Sequence, residues 1–151
     1  MYFEDFHIGQ RFQTNPVIIT EEEIYEFSKK YDPQPIHIDP DYAEHSYFGG
    51  IIASGLHTLS IVWGQWIRLN KFGTEAIGGI GIDFLNWTAP VRANDELKGD
   101  IEVVKMNPTS KGGRGIITLK ITVINQNKQV VLTTQVKGMH KSKIEHVNVD
   151  T

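Results

Sequence analysis

The sequence predicts a single α+β domain in which an antiparallel sheet curves over one long, apolar helix. Three observations lead there. Only one stretch, about Ile52 to Leu69, is long and apolar enough for a buried helix. After Gly73 the chain changes texture, becoming rich in β-branched residues with turn signals between the segments. The elements run in the order short strand, helices, central helix and then strands, which is the pattern of an α+β domain.

Each element has a local reason. After the short N-terminal strand, Thr20 of "TEEEIYEFSKKY" stands as an N-cap with Glu23 three residues on, a capping box, and Ile24 and Phe27 follow at helical spacing. This helix should end near Tyr31, because Asp32 precedes Pro33 and is pushed out of the helical region. In "IDPDYAEH", Asp39 can cap a second short helix with Pro40 at its first position, and "FGG" then breaks the chain. The long helix carries Leu56, Leu59, Val62, Trp63 and Trp66 as a wide stripe and is expected to be mostly buried, with Trp66 in the core.

Four strands should follow, from "IGGIGIDFLNWTAPV", "ELKGDIEVVKMN", "GRGIITLKITVIN" and "QVVLTTQVKGMHK", with "NQNK" as a tight hairpin. The glycines of "GGIGIDFLNW" precede a strand rather than a helix, so they suit sheet curvature or close packing and not phosphate binding. From about residue 142 a polar tail is expected, leaving residues 1–151 as one domain. One helix cannot cover both faces and both edges of such a sheet, so an oligomer, at least a homodimer, is expected.

Composition narrows the function classes. A chain of 151 residues with 40% hydrophobic and 22% charged content can bury a real core. The net charge of −3 gives no basic footprint for nucleic acid or an anionic membrane. There is no cysteine, which removes disulfides, thiol nucleophiles and sulfur-ligated metals. "MYFEDFHIGQRF" lacks the pattern of a secretory signal, and no segment approaches a membrane span, so a cytoplasmic location is expected.

The chemistry concentrates in "YDPQPIHIDP". Asp32 and His37 are side chains suited to proton transfer, and Pro33 and Pro35 fix φ at two of the positions between them. They are either a helix end with a surface histidine, or an acid/base pair held by a stiff turn. What favours the pair is "ASGLHT", fifteen residues further on, which places Ser54 and Gly55 at the start of the long helix. Unpaired N–H groups and the positive end of the helix dipole there can stabilise a developing oxyanion, and Gly55 lets a ligand approach the backbone.

These residues resemble a known family. "YDPQPIHIDPDYAEHSYFGGIIASGLHT" is similar to the signature of MaoC-like dehydratases, which include the (R)-specific enoyl-CoA hydratases of the hotdog fold; "YFEDFHIGQRF" and "FLNWTAPVRANDEL" extend the likeness to about residues 2–140. The resemblance implies an antiparallel sheet wrapped around a long central helix, usually in a dimer. It implies that Asp32 and His37 activate water for addition to a trans-2-enoyl thioester, and that the Gly55 N–H binds the thioester oxygen. Gln34, Ser54, Trp63 and Arg92 are the expected substrate contacts, the substrate being an acyl-CoA or acyl-carrier-protein thioester. No metal or other cofactor is expected. Gln34 departs from the Asn of the best-known hydratases, and Trp63 stands where they carry a small hydroxyl residue.

Other residues fit plainer roles. His37, Asp39, Asp41 and His45 match no zinc spacing. His57, two residues past Gly55, either faces the site or points to solvent, the second being favoured, and Arg92, Lys111 and Arg114 are either solvated or available to a CoA phosphate. A hotdog thioesterase is one alternative function, although "SGLHTLSIVWGQW" lacks the Asp or Glu such enzymes carry on the helix. A non-catalytic acyl-CoA-binding protein is the other.

Overall fold

A computed structural model describes residues 1–144. A 3-10 turn at Phe3–Asp5 leads into two short strands, β1 (Arg11–Gln13) and β2 (Val17–Ile18). Four helices follow: α1 (Glu21–Tyr31), α2 (Pro35–Ile38), α3 (Pro40–Glu44) and the long α4 (Gly55–Arg68). Four long strands complete the chain: β3 (Ala76–Trp87), β4 (Glu96–Pro108), β5 (Arg114–Ile124) and β6 (Val130–Lys141). The single N-terminal strand expected from the sequence is thus divided into two, both paired antiparallel with β4.

The predicted caps form, with one variation. Thr20 Oγ1 accepts from the Glu23 N–H at 3.2 Å, but the Glu23 carboxylate closes on the Thr20 hydroxyl at 3.1 Å rather than on its N–H. Asp39 accepts from the Tyr42 N–H at 3.1 Å and so starts α3 as expected. Between Asp32 and Asp39 the structure has a full helical turn, with Pro35 at its first or second position, where the sequence suggested only a stiff corner. Helix α4 begins at Gly55 and not near Ile52. The preceding backbone is captured from both sides: the Ile52 N–H donates to Ile36 O at 3.2 Å and the Ala53 N–H to Val91 O at 2.8 Å.

The long strands form an antiparallel sheet in the order β1-β4-β5-β6-β3, wrapped around α4. The "NQNK" hairpin closes between Asn125 and Gln129, whose backbones bond at 3.0 Å, with Lys128 at a φ of +61°. Register shifts in β3 fall beside Gly78, Gly79 and Gly81, so these glycines accompany sheet irregularity as their placement suggested. Val62 and Trp66 of α4 pack with Ile101, Leu119, Ile121 and Leu132 in the core.

Helix α4 is less buried than its composition suggested. Val62 and Trp66 are enclosed, but Leu56 and Ile67 are 47% and 44% exposed, and Trp63 is only half-buried. The sheet covers one side of the helix and leaves the side toward β3 open. Strand β3 is itself the sheet edge, twelve residues long, with Ile77, Ile80, Ile82 and Phe84 all exposed. At the other end of the chain, Ser142 and Lys143 bond to Glu4 and Asp5, while 145–151, most of the expected polar tail, lie outside the described residues. Among the described residues no helix is long and apolar enough to cross a membrane.

Candidate active site

Helix α1 ends on Asp32, whose N–H still donates to Ser28 O at 2.9 Å, and the α2 turn then brings His37 back toward it. His37 Nε2 lies 3.3 Å from Asp32 Oδ2, and the imidazole is buried. Its other nitrogen, Nδ1, is 2.6 Å from Ile52 O. A carbonyl can only accept, so Nδ1 carries a hydrogen and, in the neutral ring, Nε2 presents its lone pair to the carboxylate. Two acceptors at that distance repel unless a proton lies between them or a water beside the pair donates one hydrogen to each. The pair is therefore built to hold a proton or to polarise a water.

Asp32 is fixed on its other flanks. Gln34 Nε2 donates to Oδ1 at 2.8 Å and Ser54 Oγ donates to Oδ2 at 2.7 Å. The Gln34 hydrogen bond foremost, then that of Ser54 and the charge and Nε2–H that His37 presents when its ring is protonated, hold the Asp32 pKa below the usual carboxylate value, against an opposing effect of burial. The longer Gln34 amide thus meets the carboxylate two residues before it. Because the folded pKa is lowered, Asp32 adds stability above its unfolded pKa and loses that contribution as pH falls through the folded one. Gln34→Met removes the foremost donor, so the acidic limb of the kcat/KM profile is expected to move to higher pH. An unmoved limb would mean that Asp32 does not set it.

Ser54 also precedes α4 without capping it, since its hydroxyl is turned to Asp32. Gly55, the first residue of α4, has no intrahelical acceptor for its N–H, and among the described residues it meets no other. A cavity of about 350 Å³ brings His37 and Gly55 together with Phe48, Thr58, Trp87 and Val91. Trp87 lies directly against Gly55: a β-carbon there would overlap the indole Cε2 and Nε1 and sit 2.5 Å from Cδ2. Glycine is required at 55 by this close approach. Neither Trp87 nor the buried Thr58 was singled out from the sequence, because the contact joins a strand end and a helix start 32 positions apart.

The remaining expected residues divide. Trp63 lines a second, apolar cavity of about 670 Å³ between α4 and β3, together with Leu59, Phe72, Ile82 and Val136. Trp66 is buried against Phe12 and Phe72, in the core as expected. Arg92 is exposed beside Gly50, and its backbone bridges to Ile52 at the edge of the first cavity. Lys111 and Arg114 sit by the β4–β5 turn, at the Ala76 end of the sheet and away from Trp87. His57 neither points to solvent nor lines the cavity: it is buried and stacked on Phe27, with ring centroids 4.5 Å apart. The turn of α4 that presents Gly55 to the cavity rolls His57 inward against α1, where burial lowers its pKa.

Comparison with known proteins bears on the family and the fold. The family model described as MaoC like domain matches residues 5–125. An uncharacterized protein of Bacillus subtilis, YdeM, is 32% identical over 93% of this chain and 99% of its own length. A 3-hydroxybutyryl-CoA dehydratase of Methylorubrum extorquens is 30% identical over 80% of this chain and 75% of its own. The crystal structure of a MaoC-like dehydratase from Rhodospirillum rubrum superposes with a TM-score of 0.84 and 31% identity, covering 95% of this chain and 99% of that one.

Proposed function

The chain belongs to the MaoC-like domain family and has its hotdog fold, and from that premise we propose that it is a hydro-lyase adding water to, or removing it from, a trans-2-enoyl-CoA-type thioester. What carries this reading is the 3.3 Å approach of His37 Nε2 to Asp32 Oδ2, across one cavity from the free Gly55 N–H. In the hydration direction, a water hydrogen-bonded to the pair gives up one proton to it while its oxygen, keeping the other, adds to the β-carbon. The electrons of the double bond move toward the thioester, whose oxygen takes up charge at the Gly55 N–H and the positive end of α4. A proton returned by the pair to the α-carbon completes a 3-hydroxyacyl thioester. The thioester is the electron sink, so the reaction needs no metal or redox group.

Gly55, Leu59 and Trp63 lie four residues apart along α4, so they share one face of the helix. The acyl chain would follow that face from the first cavity toward the second, with Trp63 limiting the space available. Arg92, whose guanidinium makes no salt bridge among the described residues, would meet a phosphate of the carrier. Mixing the purified protein with crotonyl-CoA tests the reaction. Loss of the conjugated absorbance without free thiol supports it, free thiol identifies a thioesterase, and neither signal identifies a binder.

The apolar edge of β3 supports a homodimer in which that strand is covered by a second copy. A long, exposed apolar edge is otherwise a template for aggregation. Light scattering should then give twice the chain mass for the wild type and a shift toward monomer for Ile82→Lys. A monomeric wild type, or an unshifted variant, counts against this interface.

A further inference from the structure

We propose that Trp87 supplies a second hydrogen-bond donor to the thioester oxygen, its indole Nε1–H acting beside the Gly55 N–H. This rests on the hydro-lyase reading and adds to it a residue that the signature motif does not contain. The geometry comes from the overlap at Gly55. A β-carbon there would collide with Trp87 Nε1, and it would stand about 2.5 Å from the Gly55 nitrogen by ordinary backbone geometry. The two nitrogens are therefore about 5 Å apart at most. One oxygen accepting at about 2.9 Å from each donor spans separations up to about 5.8 Å, so both can reach it.

Three further features fit that role. Among the described residues Nε1 of Trp87 has no acceptor, while the ring is 53% exposed and lines the cavity that His37 and Gly55 share. The ring is held at its base: Trp87 pairs with Leu132, the Thr88 N–H donates to Val131 O at 3.0 Å, and Thr88 Oγ1 donates to Val130 O at 2.7 Å. An indole N–H can only donate, so it suits an oxygen that gains negative charge and offers nothing to a leaving hydroxyl's proton. Trp66, by contrast, also has an unpartnered Nε1, but it is buried in the core away from this cavity.

The test replaces the donor and keeps the wall. Trp87→Phe retains an aromatic ring over Gly55, and a benzothienylalanine at position 87 retains the bicyclic shape with sulfur in place of N–H. Each is assayed with crotonyl-CoA beside the wild type and Asp32→Asn. Each is also titrated with 4-dimethylaminocinnamoyl-CoA, whose absorption moves to the red as its carbonyl is polarised. We expect kcat to fall about 10- to 100-fold in both variants, with KM changed less than about threefold and a smaller red shift on binding. If the wild type is active and the benzothienyl variant matches it in kcat and red shift, Trp87 is only a wall and this inference fails. If the wild type itself hydrates no enoyl-CoA, the failure belongs to the hydro-lyase reading.

Discussion

Asp32→Asn is expected to lower enoyl-CoA hydration by at least ~10²-fold while the protein stays folded. The asparagine has nearly the shape of aspartate, so the contacts from Gln34 at 2.8 Å and Ser54 at 2.7 Å survive with a turn of an amide or a hydroxyl. What disappears is the negative charge beside His37. If the new NH2 faces Nε2, it also donates into the one lone pair available to a water. Steady-state rates with crotonyl-CoA, together with an unchanged circular dichroism spectrum, check this outcome. Near-normal turnover would remove Asp32 from the proton-transfer step.

His37→Ala should cost at least as much in rate, again ~10²-fold or more, and should also cost stability. The imidazole does two things at once: Nε2 faces Asp32, and Nδ1–H satisfies the Ile52 carbonyl at 2.6 Å. Removing the ring leaves that carbonyl without its donor in a buried place, a penalty of about 1–3 kcal/mol. The melting temperature at neutral pH should therefore fall further for His37→Ala than for Asp32→Asn, which gives up only the contribution carried by the lowered Asp32 pKa. Equal melting temperatures would mean that the carbonyl finds water or another donor. Near-normal rates in both variants would overturn the acid/base assignment as a whole.

Much of the architecture was legible because its signals are local. Thr20 with Glu23 and Asp39 with Pro40 mark helix starts through contacts within four residues, and the β-branched segments mark strands in the same way. The pairing of Asp32 with His37 was legible for the same reason, since prolines and a short span limit where the two side chains can go. The rest depends on contacts that cross the fold. Helix α4 starts late because Ile36 and Val91 capture the backbone before it, and neither is near it in sequence. His57 turns inward because Phe27 of α1 offers a face to stack on. Trp87 meets Gly55 because β3 pairs with β6 and the sheet wraps the helix. The apolar texture of α4 was read as burial within one chain, whereas a single sheet leaves its β3-facing side open.

The proton position on His37 is set by a peptide carbonyl, that of Ile52, and no side chain encodes it. Every residue type has that carbonyl, so a saturation scan would find position 52 tolerant of any side chain that fits its hydrophobic surroundings. The same holds for the positions that aim the carbonyl, since Ile36 and Val91 hold Ile52 and Ala53 through backbone carbonyls of their own. In a family compared by sequence, this element of the chemistry would leave almost no trace at the residue that performs it.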